Sequence, residues 1–314
     1  MEGIDRRAPQ DLTTFRDAGV LTLSNVLGGQ EVAELRGHFW DTVTQKFDIR
    51  LEDPDTWFAN PYNPMGGSRA KRLSGMNSIM DGLRATGRLQ PAQDAIQSAL
   101  DTLFGERRWE PIDRWYSLLS FPGVEPQWSV PHKSWHNDEP IVVGDDEPWS
   151  IFVFLFLDRV ERNTGPTLAI TGSHRRGEVI AEQSGVVDEL QVQAFDHVNS
   201  DVVTNPANVR LLPVGELLPQ LVTADEWFGD LVTEDGNADR IHRFMESGTS
   251  RSGIHSRVVD LSADAGDVIL FDPRCLHTFS ANLSGQPRQV LRLDFRRTRP
   301  MSTNTGLPRL QMST

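Results

Sequence analysis

The chain has 314 residues, a formal net charge of −13 and one cysteine, Cys275. The negative charge argues against nucleic acid and anionic membranes as partners, so an anionic substrate needs basic groups gathered locally at its site. A single cysteine excludes an intramolecular disulfide and a thiolate zinc cluster. The N-terminus lacks the apolar stretch of a signal peptide and the apolar run 151–157 is too short to span a bilayer, so we expect a cytoplasmic protein.

The first hundred or so residues are predicted to be mainly helical. In residues 11–19, Asp11 is placed to cap a helix and Gly19 to end it. A strand is expected next, and residues 28–47 then carry apolar side chains at close to helical spacing. Residues 50–88 have a loop-like composition, and a further helix is expected to begin at Pro91.

From Trp109 onward the pattern changes to short strands separated by Gly, Pro, Asp or Asn. Six stretches are predicted to be strands: 114–123, 148–158, 167–173, 256–262, 266–273 and 288–296. The stretch 149–157 is apolar on both alternating faces, which is typical of a central strand in a sheet covered on both sides. Helices followed by many short strands predict a mainly β fold with flanking helices: a β-barrel or a jelly roll whose N-terminal helices pack on one sheet.

Residues 175–256 interrupt the β pattern. We expect residues 1–314 to form one domain, with 175–256 as a long insertion between core strands. A long insertion of this kind is often an active-site lid. Surface elaboration or disorder is the alternative, and the sequence does not separate them.

His136 and Asp138 form a candidate half of a metal site. Such a pair is expected by chance in a chain with 8 His and 44 acidic residues, so the pair alone is no evidence. On an extended segment, however, side chains at i and i+2 point to the same face. His277 follows a predicted strand and is the natural third ligand. Two imidazoles and one carboxylate are the facial set of non-haem Fe(II) oxygenases, although Mn(II), Co(II) and Ni(II) also fit. Each remaining histidine is expected to be a surface or structural residue rather than a ligand, and His255, just before a core strand, is the one to check.

Four segments taken in order resemble the phytanoyl-CoA dioxygenase family. They are FRDAGVLTLSNVL at 15–27, WHND at 135–138, RNTGPTLAITGSH at 162–174 and DAGDVILFDPRCLHTFSANLSGQPR at 264–288. Members of this family are Fe(II)- and 2-oxoglutarate-dependent oxygenases on a double-stranded β-helix, a cupin-like jelly roll with helices packed on its major sheet. The resemblance runs to about Arg297 and is weakest in the insertion.

The resemblance implies that His136, Asp138 and His277 are the iron ligands. It also implies that Arg288, eleven residues after His277, holds the distal carboxylate of 2-oxoglutarate. A guanidinium suits that role because it binds a carboxylate through two hydrogen bonds and keeps its charge. Arg292, four residues on, is the alternative anchor. Either arginine is also compatible with a structural ion pair.

Two further residues match positions that contact 2-oxoglutarate in relatives. Thr167 matches a hydroxyl that reaches the co-substrate in many members, and Lys133 stands where relatives often carry Gln. A lysine there either meets a carboxylate or points into solvent. The sequence departs from the family pattern at residues 171–174, TGSH in place of the common Pro-Gly-Ser-His. It departs again at Phe279, where some relatives carry Ser, which removes one polar contact to the co-substrate.

The reaction implied by the resemblance is hydroxylation of an unactivated carbon of a small organic substrate, with O2 consumed and succinate and CO2 released. A natural-product or amino-acid-type substrate is expected, because the acidity of the chain disfavours a CoA ester. Relatives that halogenate carry a small residue in place of the carboxylate of Asp138, so hydroxylation is favoured over chlorination. Two alternatives stay open: a cupin-like metalloenzyme that does not use 2-oxoglutarate, and a non-catalytic barrel that binds a small molecule. The sequence leaves the oligomeric state open.

Overall fold

Helices surround a two-sheet β structure in the computed structural model of the protein, which describes residues 8–59, 77–123, 127–145, 147–188, 209–234 and 239–298. The helices are α1 (Ala8–Ala18), α2 (Gly29–Phe47), α3 (Pro54–Ala59), α4 (Asn77–Ala85), α5 (Gln90–Phe104), α6 (Ser173–Ser184), α7 (Leu217–Ala224), α8 (Glu226–Val232) and a π-helix (His242–Ser247). The strands are β1 (Val20–Leu23), β2 (Trp109–Ser120), β3 (Ile141–Val142), β4 (Ser150–Phe156), β5 (Thr167–Ile170), β6 (Val186–Val187), β7 (Arg210–Leu212), β8 (Thr249–Arg251), β9 (Ile254–Ser256), β10 (Val258–Asp260), β11 (Val268–Phe271), β12 (His277–Phe279) and β13 (Arg288–Arg297).

Two antiparallel sheets form the β core. The major sheet has the order β1-β11-β4-β13-β2 and the minor sheet the order β10-β5-β12. A backbone bridge between His136 and His277 adds a further segment beside β12. Side chains from both sheets meet in one apolar cluster, which includes Phe154 from the major sheet and Ala169 from the minor. The predicted mainly β jelly-roll fold is therefore confirmed, although hydrogen bonds join the described strands into separate sheets rather than one closed barrel.

The central strand of the major sheet is β4, and all seven of its residues are buried. Its odd-numbered residues, such as Val153, belong to the cluster beneath the helices, whereas its even-numbered residues, such as Phe154, face the minor sheet. A strand covered on both faces needs apolar side chains on both. The prediction made for residues 149–157 is thus confirmed.

The N-terminal helices pack on the outer face of the major sheet, as predicted. On α2 the buried residues form one stripe: Val32, Leu35, Phe39, Trp40 and Val43. The prediction of a loop over residues 50–88 is wrong in part, because α3 and α4 form there. The apolar residues of α4, Ile79, Met80 and Leu83, are buried in the same cluster, and this burial stabilises the helix. Residues 60–76 lie outside the described part.

The described part of the predicted insertion covers the outer face of the minor sheet. Leu168 of β5 and Val258 of β10 share a cluster with residues of α7, α8 and the π-helix, among them Leu221, Phe228 and Phe244. Residues 189–208 and 235–238 lie outside the described residues, and a lid role for 175–256 stays a prediction. Among the described helices, none has the length and apolar character of a membrane span.

Gly19, between α1 and β1, provides a test of how tightly the N-terminal region is packed against the loop before β12. Its φ is +76°, and a Cβ there would lie 2.2 Å from the Sγ of Cys275. Gly87 has a similar φ of +70° and open space around it. A left-handed alanine costs about 1–2 kcal/mol, and overpacking adds about 1–3 kcal/mol. We therefore expect Gly19→Ala to lower the free energy of unfolding more than Gly87→Ala, as measured by urea denaturation. Equal losses would show that the space around Gly19 adapts at no cost.

Candidate metal centre

His136 and His277 are held side by side by their own backbones. The amide of His136 donates to the carbonyl of His277 at 3.0 Å, and the amide of His277 donates back at 2.8 Å. Asp138 completes the group: its carboxylate oxygens lie 3.7 Å from the Nε2 of His136 and 3.6 Å from the Nε2 of His277. One ligand atom from each residue lies within 4.8 Å of the others. The structure thus brings together the three residues predicted as iron ligands.

Backbone carbonyls orient both imidazole rings. The Nδ1 of His136 lies 2.8 Å from the carbonyl oxygen of Ser134, and the Nδ1 of His277 lies 3.0 Å from that of Cys275. A carbonyl only accepts, so each Nδ1 donates to it, and Nε2 is the ring nitrogen left to bind a metal. Ser134 has a φ of +66°, a left-handed conformation that turns the chain just before His136. Two imidazole nitrogens and a carboxylate suit Fe(II).

The carboxyl group of Asp138 is in the form that binds metal. Burial, the largest single influence, acts to raise its pKa. The hydrogen bond from His277 and the nearby charges of His277, His136 and Arg292 together outweigh burial, so the pKa lies below its usual value. Asp138 is therefore ionised at neutral pH and offers an anionic oxygen ligand.

A short loop before β12 supports both metal-binding segments. The carbonyl of Pro273 accepts the amide of Asp138 at 2.9 Å, and the carbonyl of Cys275 orients His277. Within the loop, Arg274 and Asp272 form a buried ion pair at 2.8 Å. The charges of Asp272 and Arg274 each stabilise the other's ionised form, which lowers the pKa of the Asp272 carboxyl against the opposing effect of burial. A buried pair of this kind fixes the loop and, through it, the ligands.

Glu139, next to Asp138, anchors the same region from the other side. Its carboxyl oxygens accept the amide of Trp149 at 2.9 Å and the hydroxyl of Ser150, at the start of β4. Burial raises its pKa to about 8, with a further contribution from the charge of Asp272. Glu139 therefore ties the segment that follows His136 and Asp138 to the major sheet, a role that was missed in the sequence analysis.

The three residues predicted to bind 2-oxoglutarate differ in their burial and in the part of the fold that carries them. Arg288 is buried, and it donates to the carbonyls of Gly165 at 2.8 Å and of Leu118 at 3.1 Å. Thr167 lies opposite Phe279 in the β5–β12 pairing, two residues from the position opposite His277. Alternation along the strand places Thr167 and His277 on the same inner face. Lys133 has an exposed side chain. Binding of the co-substrate by these three residues stays a prediction.

The remaining described histidines lie outside the metal cluster. His255, the one to check, is exposed on β9 and contacts the hydroxyl of Ser250 at 2.9 Å. His174 is fully buried, with Nδ1 3.0 Å from the Sγ of Cys275 and Nε2 2.9 Å from the carbonyl of Arg16. Burial lowers its pKa to about 4, so it is neutral and structural.

Arg292, named in the sequence as the alternative anchor, has partners on the inner face of the major sheet that the sequence analysis missed. Arg292 donates through Nε and Nη2 to Asp294 at 2.7 and 2.9 Å, and its guanidinium lies over Tyr116 and Phe152. Burial raises the pKa of Asp294 against the opposing effect of Arg292. The available signal was the spacing of residues 288, 292 and 294, which places three charged side chains on one face of an apolar strand.

Residues 15–290 match a known protein family, whose model is described as phytanoyl-CoA dioxygenase (PhyH). The chain belongs to this family. The resemblance seen in the sequence is thereby confirmed. The expectation that the chain uses Fe(II) as its metal and 2-oxoglutarate and O2 as co-substrates is confirmed with it. Among curated proteins, no sequence matches the chain.

Two other proteins of known structure have a similar fold. AviO1 from Streptomyces viridochromogenes is 16% identical with a TM-score of 0.52, over 98% of this chain and 99% of its own. EvdMO1 is also 16% identical with a TM-score of 0.51, over 93% of this chain but only 50% of its own. At such low identity, these likenesses support the fold alone.

Removal of one imidazole tests the metal cluster. We expect His136→Ala to weaken Co(II) binding at least ~100-fold, because the loss of a ligand exceeds the 10–100-fold effect of losing a ligand's supporting hydrogen bond. Co(II) is titrated into the protein and followed by its visible absorption. His255→Ala is the matched control and should bind Co(II) like the parent. Equal affinities for both variants would contradict the assignment of His136.

The buried Asp272–Arg274 pair predicts that two arginine variants differ in their loss of stability. Arg274→Met leaves the Asp272 carboxylate buried without its partner, which costs about 3–5 kcal/mol. Arg175 pairs with Asp17 at 3.0 Å nearer the surface, and Arg175→Met should cost less than about 1 kcal/mol. Thermal and urea unfolding of the metal-free proteins measure both. A loss of similar size in the two variants would rule out a special role for the Asp272–Arg274 pair.

Proposed function

We propose that the protein is an Fe(II)- and 2-oxoglutarate-dependent dioxygenase that hydroxylates an unactivated carbon of a small organic substrate. One observation carries the proposal: in a chain of the phytanoyl-CoA dioxygenase family, two Nε2 atoms and an ionised carboxylate converge within 4.8 Å. The donor set fits iron and contains no thiolate. Hydroxylation itself rests on the presence of Asp138, since halogenating relatives lack the carboxylate.

Bound iron and 2-oxoglutarate together supply the oxidant derived from O2, and the protein's residues position the reactants. The His136 and His277 rings cannot rotate freely, because each Nδ1 is bonded to a backbone carbonyl. With Asp138 they would hold the metal through three ligands, which would leave coordination positions for the co-substrate and O2. His136 is exposed and Asp138 half-buried, whereas His277 is buried.

For 2-oxoglutarate, we assign Arg288 as the anchor of the distal carboxylate and Thr167 as a neighbouring donor. Support comes from their position: Thr167 lies on β5, two residues from the position opposite His277, and Arg288 of β13 donates to the carbonyl of Gly165, two residues before Thr167. The backbone carbonyls of Gly165 and Leu118 hold the Arg288 side chain in place before any ligand binds, which reduces the entropy lost on binding. Lys133 is a weaker candidate because its side chain is exposed.

A natural-product or amino-acid-type molecule remains the proposed substrate. The inner faces of β4 and β11 offer a largely aromatic surface, including Phe152 and Phe271 near His277. Such a surface suits a compact organic molecule and excludes water from the reacting atoms.

The visible spectrum of the Fe(II) protein tests the proposal directly. Under anaerobic conditions, 2-oxoglutarate should produce a weak charge-transfer band, because its keto acid chelates the iron. Arg288→Ala should raise the 2-oxoglutarate concentration for half-saturation roughly 10- to 100-fold, as expected for the loss of a charged hydrogen-bonded partner worth about 1.5–3 kcal/mol.

Arg296→Ala is the matched control on the same strand, since Arg296 is part-exposed and pairs with Glu110 at 3.8 Å. It should leave the half-saturation value unchanged. A folded protein that binds Fe(II) without developing the band would favour a cupin-like enzyme independent of 2-oxoglutarate. Failure to bind Fe(II) at all would favour a non-catalytic barrel.

A further inference from the structure

The major sheet presents a polar row toward the metal cluster. In the pairing of β13 with its neighbours, Arg292 lies opposite Tyr116 on one side and Phe154 on the other. Asp294 lies opposite Phe152. Alternate residues of antiparallel strands share a face, and the phenylalanines belong to the cluster between the two sheets. Arg292, Asp294 and Tyr116 therefore stand on the inner wall.

This wall faces the metal ligands across the interior. Arg292 lies 3.7 Å from the ring centroid of Phe152, the Phe152 and Phe271 rings are 6.3 Å apart, and the Phe271 and His277 rings 5.0 Å apart. A continuous series of contacts thus leads from Arg292 to an iron ligand. The influence of the Arg292 charge on Asp138 agrees with this proximity.

The guanidinium of Arg292 is restricted on three sides. Tyr116 lies 4.3 Å and Phe152 3.7 Å from it, and these rings pack against the planar group. Asp294 accepts from Nε and Nη2, so one edge is taken. A guanidinium has five N–H donors in a fixed plane, and the edge formed by Nη1 and Nη2 still has the geometry for two acceptor oxygens. A carboxylate matches that edge.

Charge also favours an anion here. Arg114 lies 4.8 Å from the ring of Tyr116, on the same strand and the same face, and its side chain is exposed. The wall itself therefore holds two guanidinium groups against one carboxylate, that of Asp294, because the nearby carboxylate of Asp138 belongs to the metal cluster. In a chain of net charge −13, this is the local basic group that an anionic substrate requires.

We propose that Arg292, held by Asp294 and assisted by Arg114, binds a carboxylate group of the organic substrate opposite the metal ligands. The inference deepens the proposed function and rests on it, since it narrows the substrate class to carboxylic acids. Arg288 and Arg292 are four residues apart, about 13 Å along a strand, so two carboxylates can be bound separately: that of the co-substrate by Arg288 and that of the substrate by Arg292.

Arginine side-chain NMR tests this assignment without turnover. The protein is loaded with Zn(II) and 2-oxoglutarate, and the Nε–H signals are assigned with Arg292→Lys and Arg288→Lys. Butyrate is the probe and butyramide its neutral match. Butyrate should shift the Arg292 signal to saturation and butyramide should not, while the Arg288 signal should respond to 2-oxoglutarate alone. Equal shifts with both compounds, or no shift with either, would overturn the proposal.

Variants separate binding from structure. In the parent, butyrate should also shift the Arg114 signal, because Arg114 lies beside the same site. Arg292→Met should abolish that Arg114 shift, whereas Arg296→Met should retain it. Arg114→Met should weaken butyrate binding by roughly 1.4- to fivefold, the effect of an exposed charge worth about 0.2–1 kcal/mol. If Arg292→Met instead abolishes the 2-oxoglutarate band of the Fe(II) protein, Arg292 holds the co-substrate and the proposal fails.

The two proposals fail in different ways. Absence of the 2-oxoglutarate band in the folded parent Fe(II) protein contradicts the proposed function. A normal band with no butyrate-specific shift at Arg292 leaves that function in place and rejects only the carboxylate site.

Discussion

The reciprocal pair of backbone hydrogen bonds between His136 and His277 is the constraint on which the site depends. It joins two segments 141 positions apart in the sequence and places their rings 4.2 Å apart. Because the bonds involve only main-chain atoms, the distance between the imidazoles is fixed by sheet geometry rather than by side-chain packing. Asp138 lies two residues after His136 on an extended segment, so its side chain points to the same face and joins the two imidazoles.

Several charged groups are buried around that bridge, and each is matched by a partner. Asp272 and Arg274 neutralise each other, and Asp145 does the same with Arg297. Buried ion pairs contribute little to net stability because desolvation offsets the attraction. Their contribution is to fix orientation, because the two parallel hydrogen bonds between a guanidinium and a carboxylate tolerate little displacement. The loop that supports both ligand segments is therefore rigid for an electrostatic reason.

The strands and the metal ligands were the parts most accessible from sequence. The continuous apolar run 149–157 identified β4, and the i, i+2 spacing with a distant histidine identified the metal cluster. The Arg292–Tyr116 contact was not accessible, because it depends on which strand lies beside β13, and the pairing joins residues 176 positions apart. The helices within residues 50–88 were missed because tertiary burial of Ile79 and Met80, rather than local pattern, determines α4.

The tight packing between Gly19, His174 and Cys275 has a chemical consequence. Cys275 is the only cysteine of the chain and lies two residues from His277. It is buried, and burial raises the pKa of its thiol well above the usual value. Oxidation proceeds through the exposed thiolate, and this sulfur is neither exposed nor deprotonated. A protein proposed to handle O2 thus keeps its one cysteine protonated and away from solvent, two residues from a proposed metal ligand.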